Sequence, residues 1–351
     1  MGKMNLFLAA AITFLLFSCK ASVSPELFTE KEKALIQGVE SLEDIYIQKE
    51  VIPLQQVRDR GYFTDFKINE HLILGLRYDR GEHQVFVWNK DGVFLGRAGG
   101  PGKAPGEYVS VGGFDFTGDH SFLIFDRVRA VINFYETDND SVCFIEQKDA
   151  DLNEQTYMDT LFFAKDSFYL LSCSGPAGVF TLFKLDDHFK ITQRFHKRKK
   201  VSPIANPTYA ISEDLIYVLG PFDRDFKMLE PFIYVYSMDG KLFRKIRTKY
   251  RDIFDINFDR SGKLIFITSM KNIFDLRKAD EYRILDLQGN VIHTFSSLPP
   301  LAPESIMGIS RTCRSHENAA YLTRPDKNRT ARLYLYDIDL GLAAEGGKSG
   351  K

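Results

Sequence analysis

Gly96-Arg97-Ala98-Gly99-Gly100-Pro101-Gly102-Lys103-Ala104-Pro105-Gly106-Glu107-Tyr108 joins the end of one β-rich unit to the start of the next, and the same unit then recurs to the C-terminus. Five glycines in thirteen residues allow positive φ and close backbone approach, while Pro101 and Pro105 stiffen the path. The plainer reading is a structural corner, with Glu107 capping exposed amides and Tyr108 wedged between the units it joins. The other reading is a glycine-lined ligand loop. A phosphate cradle is the weakest reading, because no Gly-Lys-Ser/Thr and no strand-to-helix context follows.

Working outward, each unit holds a short inner strand, a tight turn, a strongly hydrophobic strand, a variable loop, an aromatic-rich strand, a polar turn and a last strand. Six third strands line up: Gln84–Trp88, Ala130–Tyr135, Val179–Phe183, Pro231–Tyr236, Glu281–Leu285 and Arg332–Tyr336. The turns after them sit at Gly92, Asn139, His188, Gly240, Gly289 and Gly341, which sets a period of about 50 residues, in the propeller range. Second strands repeat in phase as Phe122–Phe125, Phe168–Leu171, Leu215–Val218 and Leu264–Ile267, near-continuous apolar runs suited to strands buried on both faces.

The ends do not match. The sixth unit runs out after Gly341 without a last strand, and Ile45 to Leu54 is a spare β-branched strand at the other end. Pairing the two removes both open edges. The expected fold is therefore all-β, a six-bladed β-propeller of four-stranded blades over residues 45–341, its ring closed by the N-terminal strand joining the last blade.

Upstream, Lys3, the apolar run Leu6 to Phe17 and Ser18-Cys19 read as a signal peptide over residues 1–19, since twelve apolar residues are too few to span a bilayer. Leu16-Phe17-Ser18-Cys19 resembles a bacterial lipobox, which implies lipidation of Cys19, an anchor in the cell envelope and, with Lys20 next, the outer membrane. Which side of the membrane the domain faces stays open. Residues 20–44 read as a tether and short helix, a spacer capped by Ser24 and Pro25, with Leu27, Leu35 and Val39 on one face. Residues 342–351 read as a flexible tail. Of the other cysteines, Cys143 and Cys173 fall in strand-like runs and read as buried small hydrophobes, their pairing left open, and Cys313 completes no metal knuckle.

The charges nearly cancel, 46 Lys and Arg against 47 Asp and Glu, so no global field favours nucleic acid. The run His196-Lys197-Arg198-Lys199-Lys200 is the basic exception and reads as a solvated loop.

The connection ending Pro105-Gly106-Glu107-Tyr108, followed by Phe114-Asp115-Phe116 and Phe122-Leu123-Ile124-Phe125-Asp126, resembles the six-bladed β-propeller lipoproteins of Gram-negative bacteria, distant relatives of NHL-repeat and TolB-like propellers. The resemblance spans Ile45 to Gly341, with Lys103-Ala104 inserted in its most specific element. It implies a fold and an envelope location. It implies no chemistry, because that family has no established general activity.

On a propeller, the loops after the second strands and the links between blades open on one face. Those loops carry Arg77 and Asp79, then Asp126, Arg127 and Arg129, then Asp223, Arg224 and Asp225, then Lys271 and Arg277, then Arg324 and Lys327. Arg77, Asp126, Arg127, Arg224, Lys271 and Arg324 are the candidate ligand-binding residues, a ring suited to a carboxylate, a sulfate or an acidic sugar. His71, His120 and His316 read as turns of separate blades on the opposite face, unable to converge on one ion. The inner strands offer Asp115 and Asn257 but no Glu or His, and no catalytic signature is present, so neither a metal nor another cofactor is expected. The expected role is a non-catalytic binding or scaffolding propeller for a glycan, peptide or envelope protein. The alternative is a lyase or hydrolase acting on a polyanionic or sugar-lactone substrate.

Overall fold

A computed structural model describes residues 28–342 apart from 59–60, 139, 151–155, 175–178, 198–207, 213, 220–227, 229, 251, 270–277, 302–305 and 311–317. The chain forms six four-stranded antiparallel blades in a ring. Strand β1 (Tyr46–Leu54) comes first and belongs to the last blade. The first blade is β2 (Tyr62–Ile68), β3 (Leu72–Asp79), β4 (Glu82–Asn89) and β5 (Phe94–Ala98). The second is β6 (Val111–Phe116), β7 (Ser121–Asp126), β8 (Val131–Thr137) and β9 (Val142–Asp149). The third is β10 (Thr156–Ala164), β11 (Ser167–Ser174), β12 (Val179–Leu185) and β13 (Ile191–Lys197). The fourth is β14 (Thr208–Ser212), β15 (Leu215–Leu219), β16 (Phe232–Ser237) and β17 (Leu242–Arg247). The fifth is β18 (Ile253–Phe258), β19 (Leu264–Ser269), β20 (Asp280–Asp286) and β21 (Val291–Ser297). The sixth is β22 (Ile306–Ser310), β23 (Asn318–Thr323), β24 (Ala331–Ile338) and then β1.

The ring closes as the sequence pattern requires. β1 lies antiparallel to β24 from Tyr46 opposite Ile338 to Leu54 opposite Ala331, and Ile52 and Leu54 are buried with Leu333 and Trp88. The second strands carry near-continuous apolar runs because each lies between its own neighbours and the faces of two adjoining blades. Phe122, Leu123, Ile124 and Phe125 are all buried, as are Leu264 to Ile267.

Two local devices set the blade joints. A β-bulge interrupts the inner strands of the first two blades, its extra residue being Thr64 in β2 and Gly112 in β6. Such bulges bend a strand and re-aim side chains where blades meet. At the periphery, the turn between third and fourth strands rests on the preceding blade: a Cβ on Gly92 would meet the Pro53 carbonyl oxygen at 2.0 Å, and one on Gly289 would meet Ile246 at 2.2 Å.

The glycine-rich connection is a structural corner. Pro101 bridges Tyr108, the Gly102 amide donates to the Tyr108 carbonyl at 3.0 Å, and the Tyr108 amide donates to the Gly100 carbonyl at 3.0 Å. Glu107 accepts from the Ala104 amide at 2.9 Å, and the buried Tyr108 hydroxyl accepts from the Val85 amide at 3.0 Å, tying the corner back to the first blade. Tyr135 of the second blade donates to the Gly106 carbonyl at 2.7 Å.

Two expectations are corrected. The helix α1 (Glu30–Gln37) is capped by Thr29 in a reciprocal box with Glu32, its N-terminal cap lying past Ser24 and Pro25. Leu35 is exposed while Ile36 and Val39 are buried, and Phe28, Ile36, Val39, Leu42 and Ile45 pack on Leu264, Phe266 and Ile284, so this segment is docked on the ring. Cys143 is a free, exposed thiol, because β9 is an outer strand with one face in solvent. Ser24, Pro25 and Leu27 lie outside the described residues, as do Cys19 and Cys313.

Candidate functional site

A cavity of about 310 Å³ opens among the first four blades, lined by Thr64, Asp65, Lys67, His83, Arg127, Thr160 and Tyr209 with Val111, Gly112 and Leu161. Its floor comes from inner strands. Lys67 of β2 is almost wholly buried; its Nζ stands 3.6 Å from Asp115 Oδ2 of β6 and 3.3 Å from the Tyr209 hydroxyl of β14. Asp115 also accepts from the Phe116 amide at 2.9 Å and the Phe163 amide of β10 at 3.0 Å, so one carboxylate joins three blades. Tyr209 is held flat against Phe162, ring centroids 4.0 Å apart. The inner strands of the second and third blades come so close that a Cβ on Gly113 would lie 2.3 Å from the Leu161 carbonyl oxygen.

The wall comes from loops and third strands. Arg127, in the turn after β7, donates through Nε to the Ser110 hydroxyl at 2.9 Å, which leaves its terminal nitrogens for other acceptors. His83 Nδ1 accepts from the Val111 amide at 3.1 Å, which places the ring proton on Nε2 and makes that nitrogen a donor. Burial, and then the neighbouring Arg127 charge, hold the His83 imidazole below its ordinary pKa, so the ring is neutral. The cavity thus collects an ammonium, a guanidinium and a neutral imidazole donor around a tyrosine hydroxyl.

The expected cation ring falls out differently. Arg127 reaches the cavity. Arg77 does not: it lies inside β3, paired opposite Phe63 as Asp126 is paired opposite Val111. Arg77 therefore occupies the structural position of Asp126, one residue short of that of Arg127, and a one-residue offset turns a side chain to the other face of its blade. It is buried, donates to Asp79 at 3.0 Å and lies in a second cleft with Arg58, Arg80 and Arg97. Asp126 is fully buried and accepts the amides of Val109 at 2.8 Å and Val128 at 3.0 Å, a staple for the loop that carries Arg127. Arg129 is likewise structural, donating to the Glu107 carbonyl and Gln147 at 3.1 Å each. Arg324 is exposed just beyond β23. Arg224 and Lys271 lie outside the described residues.

Lys67, His83 and Tyr209 escaped the sequence reading. An alternating polar residue in an inner strand signals Lys67, but nothing in one chain's pattern tells which neighbouring blade it meets. The histidines also need correcting: His71 and His120 belong to adjacent blades and touch, ring centroids 4.6 Å apart, with His71 Nε2 3.8 Å from Asp119. His316 lies outside the described residues. Among the described residues no group of three or more His, Cys, Asp or Glu is placed to hold a metal ion.

Comparison with known proteins agrees with this architecture. A family model described as a 6-bladed beta-propeller matches residues 67–225. Among solved structures, a Bacteroides fragilis protein described as a candidate exported protein aligns with a TM-score of 0.53 at 12% identity, over 86% of this chain and 98% of that one. The C-terminal WD40 domain of Sif2 aligns with a TM-score of 0.42 at 13% identity, over 79% of this chain and 69% of that one. At 12% identity the likeness to the Bacteroides fragilis protein is one of fold. No curated protein matches the sequence.

Proposed function

We propose that this chain is an envelope-anchored, non-catalytic binding propeller that takes a carboxylate of an acidic glycan or peptide at its central cavity. The observation behind this reading is the donor set: Lys67 Nζ, the Arg127 terminal nitrogens and His83 Nε2 share one opening of about 310 Å³, a volume suited to a single sugar or amino-acid residue. Asp65 of β2 lines the same cavity beside these donors. His83 also speaks for binding over the lyase or hydrolase alternative. A general base needs a free lone pair, and the one on Nδ1 already accepts the Val111 amide. The Leu16–Cys19 sequence supports anchoring through lipid at Cys19, in the outer membrane given Lys20.

Calorimetric titration of the purified chain with glucuronate and with an acidic dipeptide tests the site. Saturable binding that weakens on Arg127→Ala is expected. Affinity indifferent to Arg127→Ala defeats the reading, and turnover of the ligand in the same cell would revive the enzyme. Metabolic labelling with an alkyne fatty acid, lost on Cys19→Ala, tests the anchor.

A further inference from the structure

The second cleft, of about 370 Å³, lies on the other side of the first blade at the seam where the chain crosses from β1 to β2. Arg58 comes from that crossing, Arg77 from β3, Arg80 from the β3–β4 turn and Arg97 from β5, facing Asp79 and Glu82. Among the described residues, four guanidinium groups against two carboxylates leave two positive charges, and repulsion from Arg97 and Arg58 adds to burial in lowering the Arg77 pKa.

The chain accepts conformational penalties to build this wall. Asp79 and Glu82 face each other across the two-residue turn Arg80-Gly81, where φ is 54° and 91°. A turn with positive φ at both central residues favours Asn-Gly, and a long side chain in its first place is strained. Such strain clusters where a side chain has a task. Behind the wall, Gly61 at φ 80° would carry its Cβ 2.8 Å from Arg77 Nε, so only glycine lets the crossing pass over the buried guanidinium. Arg77 and Arg97 lie 5.6 and 5.1 Å from the Phe86 ring centroid, which fixes their planes.

We infer that this cleft binds the phosphomonoester group of a small phosphorylated sugar. A phosphomonoester carries nearly two negative charges at neutral pH, matching the cleft's surplus, and offers three oxygens to arginine forks. A carboxylate brings half that charge and two oxygens. The remaining volume takes the sugar. Arg80 and Arg97, both exposed on the rim, are the contacts, and Arg77 positions the wall from beneath.

The test is calorimetry on the full chain with a hexose 6-phosphate, inorganic phosphate and the unphosphorylated hexose. Both phosphates bind and the plain hexose does not. The double variant Arg80→Ala/Arg97→Ala binds at least about tenfold more weakly, and Lys241→Ala, exposed in the turn before β17 of the fourth blade, binds as the unaltered chain does. Binding of the hexose phosphate also falls below about pH 6 as the second proton adds to the phosphate. Equal heats in the unaltered and doubly substituted chains, or no saturation with either phosphate at millimolar concentration, overturns the assignment.

Discussion

Lys67 Nζ stands 3.6 Å from Asp115 Oδ2 across the joint between the first two blades, with 3% and 9% of the two side chains exposed. Removing one partner strands a buried charge, which is dearer than losing the pair. Lys67→Met is expected to lower stability by about 3–5 kcal/mol in urea unfolding, and Lys67→Met/Asp115→Asn to recover most of it. Asn is chosen because the Phe163 amide needs an acceptor at that position. A double variant no more stable than the single one refutes the pairing argument.

Tyr108 ties the glycine-rich corner to the first blade. Its hydroxyl is the acceptor for the buried Val85 amide, and burial pushes its pKa up to about 12. Tyr108→Phe keeps the ring and orphans that amide, so a loss of about 1–3 kcal/mol is expected. An unchanged melting temperature would show that the ring alone holds the corner.

Closure by β1 is the joint on which the ring depends. Deleting residues 45–54 exposes the β24 edge and uncovers the apolar cluster that Ile52 and Leu54 complete. The truncated chain is expected to unfold at a clearly lower temperature. An unaltered melting temperature would mean that the first and last blades hold the ring without the strand.

Gly92 and Gly81 separate backbone strain from collision. Their φ values are 81° and 91°, yet a Cβ at Gly81 meets nothing within 4 Å while one at Gly92 strikes the Pro53 carbonyl of the closing strand. Gly81→Ala is expected to cost about 1 kcal/mol and Gly92→Ala at least about 2 kcal/mol more, measured by urea unfolding. Equal losses would remove the packing role assigned to the outer turn.

These joints explain what the sequence could and could not show. Phe122–Phe125 and its counterparts announce middle strands because burial on both faces leaves a continuous apolar run, and the unmatched ends announce closure. The site is harder. Arg77 and Arg127 occupy similar places in the sequence pattern, but the register sets Arg77 level with Asp126, one residue short of Arg127. Which blades share Lys67 and Tyr209 depends on tertiary approach, for which a lone strand carries no signal.

His83 gives the fold a pH dependence whose sign can be worked out. An unfolded histidine takes its proton near pH 6.5, roughly. In the folded chain burial and then Arg127 oppose that proton, and Nδ1 is already facing the Val111 amide donor, so the folded pKa is depressed. Above both values the ring is neutral in either state and contributes no slope. As pH falls below about 6.5 the unfolded state binds more protons than the folded one, so stability declines until the folded pKa is passed. His83→Asn keeps an acceptor near the Nδ1 position and removes the titration. Urea unfolding between about pH 7.5 and pH 5 should therefore show a smaller acid loss for the variant than for the unaltered chain. Identical losses would mean that Arg127 and the buried wall tolerate an imidazolium, and the neutral donor assigned to the cavity would go with it.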